Sequence, residues 1–569
     1  MVNKIKIAYE QRPTVEVILP DRRILTGPRN AKLEDFMKAI QNEKEPLIVA
    51  AIVNNNLKEL TCPITMDSEV KPITTAETDG ARIYRRSLTF LLEAAFSKVF
   101  PGAKLTIDHS VSSGGYYCQV SDRPPLSVQD LAILEKRMRE LVEEDLDFVR
   151  EIVPLKEAVA YFKANKEEDK VRLLAYRQRK DLVLYRMGNH RDYHHGYMVP
   201  SSGYLKWFEL VPVDNAYILR YPRRNAANTL TPMTNYPTLL KTFRQYGNWL
   251  TKLGIPSVGA LNDAIAEGRI REVILVSEAL HTQQISLIAG DIKRLRDKVR
   301  VVLIAGPSSS GKTTFSRRLT IQLLTHGLSP FALEMDNYFV DRKRTPRQEN
   351  GQFDFESIDA LNRKFLNKHI QGLIAGEKVQ LPKYNFKSGM SEPGEVVQLN
   401  EGEIIILEGI HGLNPDLLEG FDEEKTYRIY VSCLTQLNLD RHNRISTTDT
   451  RMLRRILRDA RDRGYNAQET IQRWESVRLG EKQHIFPYQE NADSIFNSAL
   501  AYELTALKPL VEPLLRQVPF GTPEFIEAKR LLKFLEWFLP TSSEWIPDNS
   551  ILREFTGGSI LKDFSIWHR

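Results

Sequence analysis

The C-terminal half of the chain is predicted to be an α/β domain with a mainly parallel sheet, preceded by smaller α+β segments. Three observations predict this. From Val301 onward, short apolar, β-branched runs alternate with helical stretches, the pattern of strands covered by helices. VVLIAG at 301–306 passes directly into a glycine- and serine-rich loop and then an amphipathic helix. Residues 13–62 instead alternate TVEVIL and LIVAAIV with one helical segment, LEDFMKAI, and a turn at Asn54, Asn55 and Asn56.

A chain of 569 residues exceeds one hydrophobic core, so roughly three or four domains are expected. Apolar residues make up 42% and charged residues 27%, which excludes a disordered chain. The 79 basic residues barely outnumber the 73 acidic ones, and a net charge of +6 does not indicate nucleic acid. Cys62, Cys118 and Cys433 form no CxxC pair and leave an odd count, which argues against a disulfide framework and for a reducing cytoplasm. The N-terminal MVNKIKIAYEQR lacks the continuous apolar stretch of a secretory signal. No apolar run approaches the ~18 residues of a membrane span.

Polar, turn-rich residues around Thr74 to Gly80 mark a boundary, after which SLTFLLEAAFSKVF has helical periodicity and stops at Pro101-Gly102. A charged helical stretch runs from Val128 to Asp145, and YLKWFELVPV and AYILRYP read as strands. Residues 235–298 are predominantly helical, and helices return after about residue 500.

Gly306-Pro307-Ser308-Ser309-Ser310-Gly311-Lys312-Thr313 has the spacing G-x-x-x-x-G-K-[ST] between a strand and a helix. Gly306 and Gly311 let backbone N–H groups turn toward phosphate oxygens, and the helix, continuing through Thr314, presents its positive end. Lys312 would neutralise β/γ-phosphate charge, and the Thr313 hydroxyl would hold Mg²⁺. The strand PFALEMD ends in Asp336, placed to accept a proton from an attacking hydroxyl, although a solvated loop aspartate fits the same position. EIIILEG is apolar until Glu408, where a carboxylate can order Mg²⁺ through its waters. In TTDTRMLRRILRDARDRGY, Arg451, Arg454/Arg455 and Arg458 fall on one helical face that could close over a triphosphate. A solvated face with Asp459 and Asp462 as partners is the alternative.

Residues 300–500 carry, in order, GPSSSGKTT, MDNYF (335–339), FDFESID (353–359), PKYNF (382–386), ILEGI (406–410), DTRMLRRILRDARDRG (449–464) and FPYQENAD (486–493). This set resembles the uridine kinase and phosphoribulokinase family. The resemblance implies that Asp336 is the catalytic base, that Asp354 and Tyr384 contact the nucleoside's sugar and base, and that Arg455, Arg458 and Arg463 form a lid over the phosphates. It implies ATP with Mg²⁺ and a small-molecule acceptor. Gly389 stands where the family usually has histidine and Asn385 where the motif has Asp, while Tyr465 and Arg473 stand for the usual arginine and glutamine.

Residues 13–70 resemble a TGS domain, the β-grasp module of threonyl-tRNA synthetases. Residues 80–220, with FPGAKLTI (100–107), GGYY (114–117) and MGNH (187–190), are similar to the editing-type domain of threonyl- and alanyl-tRNA synthetases. That family's HxxxH zinc positions correspond to Arg86 and Phe90, which supply no ligand, so no zinc is expected. His190, His194 and His195 are read as surface histidines of a polar loop.

The resulting expectation is a TGS-like β-grasp domain at 1–75, an editing-like domain without its zinc motif at 76–225, a helical connector at 226–298, a P-loop nucleoside kinase domain at 299–500 and a helical segment at 501–569. The expected protein is a cytoplasmic ATP-dependent nucleoside kinase without membrane contact, with a homo-oligomer allowed. Two alternatives stay open. One is a kinase of a non-nucleoside alcohol or sugar phosphate; the other is a tRNA- or RNA-associated regulator switched by nucleotide.

Overall fold

The computed structural model describes residues 10–234, 236–347, 351, 353–385 and 388–564. Met1–Tyr9, part of the N-terminal signal reading, and Phe386 of the PKYNF motif lie outside these. The chain divides into two compact units. One comprises Met1–Asn235 with Asn438–Arg444 and Pro519–Arg530; the other comprises Tyr236–Leu437 with Ile445–Val518 and Leu531–Arg569.

The first unit begins with a five-stranded sheet in the order Ile24–Pro28, Thr14–Ile18, Ser68–Thr74, Ile48–Val53, Asn56–Glu59. Thr14–Ile18 and Ser68–Thr74 are parallel neighbours, and the short helix Leu33–Lys38 packs Leu33, Phe36 and Met37 into the core with Val15 and Val17. This is the β-grasp arrangement. Asn54 and Asn55 both take positive φ, as the tight turn between Ile48–Val53 and Asn56–Glu59 requires. The helix Thr78–Val99 follows and is buried around nearly its whole circumference, because its apolar residues cover more than one face. It packs with the helix Val128–Glu143 and with the antiparallel sheet Glu209–Val213, Ala216–Arg220, Gly115–Ser121, Lys104–Val111. A second antiparallel sheet joins Val149–Pro154, Asp181–Met187 and His190–Asp192.

The second unit is built on a five-stranded, wholly parallel sheet ordered Pro330–Glu334, Ile404–Glu408, Val301–Ala305, Thr426–Ser432, Ser494–Asn497. Val301–Ala305 is central and buried at all five positions, as its unbroken apolar character demands. The helices Pro237–Lys252, Val258–Ala266 and Ile270–Arg294 belong to this unit, as do the later helices Thr447–Arg458, Ala467–His484 and Glu503–Arg516. Among the described residues, no helix is long and apolar enough to cross a membrane.

Candidate functional site

Parallel strands bring their C-terminal ends to one edge of the sheet, and this edge gathers the residues singled out in the sequence. Val301–Ala305 runs into the loop Gly306–Gly311, and the helix Lys312–Thr325 leaves from it. A β-carbon on Gly306 would come within 1.9 Å of the Val431 carbonyl oxygen on the neighbouring strand, so only glycine fits. Gly311 caps the helix at φ 88°, and Ser309 also takes the left-handed region at φ 58°. This backbone turns successive N–H groups inward.

Glu408 ends the adjacent strand, in register with Ile304 and with Glu334. The Thr313 hydroxyl donates to the Glu408 carboxylate at 3.0 Å. Burial pushes the Glu408 carboxyl up to about 7, against the pull of Lys312. Burial lowers the pKa of Lys312, whose ammonium donates to the Pro307 carbonyl at 3.3 Å. Asp336 sits in the 3-10 turn Met335–Tyr338, directly after Pro330–Glu334. Its side chain reaches solvent, and the protein packed around it raises its pKa while Lys312 opposes the rise.

The side chain of Asn337, next to Asp336, accepts from the Tyr384 backbone N–H at 3.2 Å, which ties the strand Val379–Asn385 to the same edge. Tyr384 is buried, with its ring 5.6 Å from Phe339. Asp354 is half-buried and accepts from the Glu356 backbone N–H at 3.2 Å. Gly389, the position of the family histidine, takes φ 72°, and a β-carbon there would come within 2.8 Å of Arg342. Two further departures, Tyr465 and Arg473, form one contact, with the Arg473 guanidinium 3.9 Å from the centre of the Tyr465 ring.

The arginine stretch forms the helix Thr447–Arg458 and then a wider π turn, Asp459–Arg463. The buried carboxylate of Asp459 gathers the three predicted lid arginines, at 3.1 Å from Arg455, 3.3 Å from Arg458 and 3.6 Å from Arg463. Arg455 also donates to the Ser308 hydroxyl at 2.8 Å, reaching the phosphate loop. Burial lowers the pKa of Arg455 and of Arg458. Arg454, assigned by the helical period to the same face, instead turns into the core, where Glu503 and the Ser498 carbonyl bind it. Arg451 pairs with the buried Glu481, whose other oxygen takes Arg478.

Three further carboxylates stand at this site: Glu356 lies within the FDFESID stretch, while Glu481 and Glu554 lie in none of the motifs. Glu481 accepts from the Ser308 N–H, Glu554 accepts from Thr314, and Glu356 is pushed up to about 7 by burial and by Glu481. The sequence gives no spacing signal for Glu481 and Glu554, because they come from segments remote from the loop. For Mg²⁺, the Thr313 hydroxyl and the Glu408 carboxylate supply the hard oxygen donors that ion takes.

In the first unit, the reading of surface histidines fails for His194, which is buried at 5% exposure with Nε2 3.1 Å from Glu93 Oε2. A sequence as polar as RDYHHGY hides this, because the partner carboxylate lies on the helix Thr78–Val99. Arg86 donates to the Tyr197 carbonyl at 2.6 Å, and Phe90 packs on the rings of Phe148, His190 and His194, so neither position supplies a metal ligand. Glu93, Asp192 and His194 do bring ligand atoms within 4.8 Å of one another. Asp192 is already matched by the buried Lys170 ammonium and by His442 Nδ1 at 2.8 Å. Burial opposes charge on His442, yet Glu93 and Asp192 hold its pKa up to about 9.

Residues 301–504 match the model of the Phosphoribulokinase / Uridine kinase family. The N-terminal region is similar to threonine–tRNA ligases. The Acidovorax sp. (strain JS42) enzyme is 34% identical over 206 residues, 36% of this chain and 32% of its own; the Marinobacter nauticus enzyme is 38% identical over 202 residues, 35% and 31%. The chain thus spans about a third of the length of these curated relatives. Among solved structures, a possible uridine kinase from Bacillus stearothermophilus aligns at 20% identity over 38% of this chain and 98% of that one, with a TM-score of 0.27. The chain thus combines a segment, 301–504, that matches the phosphoribulokinase and uridine kinase family model with an N-terminal region similar to threonine–tRNA ligases.

Proposed function

We propose that this protein transfers the γ-phosphoryl of ATP to a hydroxyl of a small molecule, with a nucleoside as the first candidate acceptor. The observation that carries the reading is Asp336 at the strand-end edge, just past Pro330–Glu334 and in electrostatic interaction with Lys312 of the phosphate loop. In this reading Gly306 to Thr314 cradle the phosphates, and Lys312, Arg455, Arg458 and Arg463 screen charge on the transferring group. Mg²⁺ held at Thr313 and Glu408 would neutralise phosphate charge when bound. Asp336 takes the proton of the acceptor hydroxyl as its oxygen forms the new bond to phosphorus, and ADP leaves with the electrons of the broken bond. Asp354 and Tyr384 would orient the acceptor. Gly389, with Arg342 against it, removes one side chain that a uridine kinase uses for its substrate. A non-nucleoside alcohol or sugar phosphate is therefore the alternative acceptor.

The test is phosphate transfer from Mg-ATP to nucleosides, sugar phosphates and polyols, with products identified by mass and Asp336→Asn as control. Nucleoside phosphorylation lost in the variant supports the reading, and transfer unaffected by Asp336→Asn removes the base assignment. The free cysteines Cys62, Cys118 and Cys433 fit a cytoplasmic location. A second reading, RNA association, is favoured by the similarity to threonine–tRNA ligases. Salt-sensitive tRNA binding by the full chain would support it.

A further inference from the structure

Two carboxylates of the chain itself stand on the donors of the phosphate loop. Glu481 accepts from the Ser308 N–H at 3.0 Å and is locked in place by Arg451 and Arg478. Glu554 accepts from the Thr314 backbone N–H at 3.2 Å and from its hydroxyl at 3.0 Å. Thr314 is the third residue of the helix Lys312–Thr325, so its N–H is one of the unbonded donors of the first turn that an incoming phosphate uses.

Glu554 lies in the short turn of helix Arg553–Thr556, in a segment that lies along the loop. Ile551 covers Gly311, where a β-carbon would meet its Cγ2 at 2.5 Å. Arg461, from the π turn, donates to the Glu554 carbonyl at 2.8 Å, and the Arg454 guanidinium lies 5.1 Å from the centre of the Phe555 ring. Arg317, on the phosphate-loop helix, donates to the Leu561 carbonyl at 2.8 Å.

We propose that the segment 551–561 is an autoinhibitory strap whose Glu554 carboxylate occupies the place of a nucleotide phosphate on Thr314, so that nucleotide binding displaces it. The inference rests on the reading of Gly306–Thr314 as a nucleotide phosphate site. Glu554 and a phosphate oxygen compete for the same two donors and the same positive helix end, and two anions do not share them. Glu481, clamped by two arginines, stays in place while Glu554 is exchanged. Arg461 couples the strap to the turn that carries Arg463, so release of the strap accompanies rearrangement of the lid arginines.

The experiment is calorimetric titration of the full chain with Mg-ADP, comparing wild type, Glu554→Gln and Lys312→Ala. Removing the competing charge should tighten ADP binding about tenfold in Glu554→Gln. Equal or weaker binding in that variant, with binding still lost in Lys312→Ala, overturns the strap alone. Binding absent from wild type and Glu554→Gln alike, or unaffected by Lys312→Ala, sinks the phosphate-loop reading and the strap with it. A readout that needs no variant is amide hydrogen exchange of residues 551–561 in the wild type. Saturating Mg-ADP should speed exchange several-fold, and unchanged or slower exchange rejects displacement.

Discussion

The Thr313 hydroxyl and the Glu408 carboxylate are joined by a 3.0 Å hydrogen bond at the mouth of the phosphate loop. Glu408 rises from 4.5 to about 7 because it is buried. A carboxyl raised on folding contributes stability that is complete below its unfolded pKa and is lost as pH climbs through the folded one, here between 4.5 and about 7. The loss amounts to about 3 kcal/mol. Without nucleotide, Glu408→Gln should therefore melt above wild type at pH 8, and the two should converge near pH 5. The same ionisation predicts that Mg²⁺-dependent nucleotide binding weakens as pH falls below 7, because the ion needs the carboxylate. Thermal melts and titrations across pH 5–8 check both.

Asp336→Asn should keep Mg-ADP affinity within about threefold while turnover falls by 10²–10⁴, the ordinary worth of a general base. Lys312→Ala should weaken binding and turnover together, because it acts on phosphate charge in both states. Steady-state kinetics with a calorimetric Kd separate the two patterns.

Neighbouring arginines on the helix Thr447–Arg458 should behave differently. Arg454 is buried at 0% side-chain exposure against Glu503 at 3%, so Arg454→Met leaves a buried anion unpaired and should cost about 3–5 kcal/mol of stability. Arg455→Met, at a position reaching the Ser308 hydroxyl, should leave the melting temperature nearly unchanged and lower turnover. Differential scanning fluorimetry with an activity assay distinguishes them.

This contrast shows what was legible in the sequence. The phosphate loop was readable because its chemistry is local: one strand, one turn and one helix start, contiguous from 301 to 314. Glu408 at a strand end and Asp336, two residues past the end of another, were readable because parallel strands deliver their C-terminal residues to one edge. Helical periodicity put Arg454 and Arg455 on one arc but could not divide them. The division is made by Glu503 and Ser498, which approach from a later segment of the chain. Glu481, Glu554 and the buried state of His194 escaped for the same reason, since each depends on a partner that is remote in sequence.

His442 predicts a pH response of the first unit. Burial works against its charge, but Glu93 and Asp192 raise its pKa from 6.5 to about 9. Its contribution is therefore complete below 6.5 and is lost as pH rises through about 9. Wild type should lose more melting temperature between pH 6.5 and pH 9.5 than His442→Gln does, and equal slopes would remove the role given to this imidazole.

The seven residues Asn438–Arg444 belong to the first unit although the chain on both sides of them belongs to the second. A gene fragment opening at codon 299, the natural choice for expressing the phosphate-loop portion alone, would encode His442 without Asp192, Glu93 or Lys170. It would also encode Pro519–Arg530 without Arg82, whose guanidinium holds Glu527 at 2.8 Å. Cutting the chain at a linear domain boundary therefore strands two short stretches of sequence, and the useful recombinant form is the uncut polypeptide.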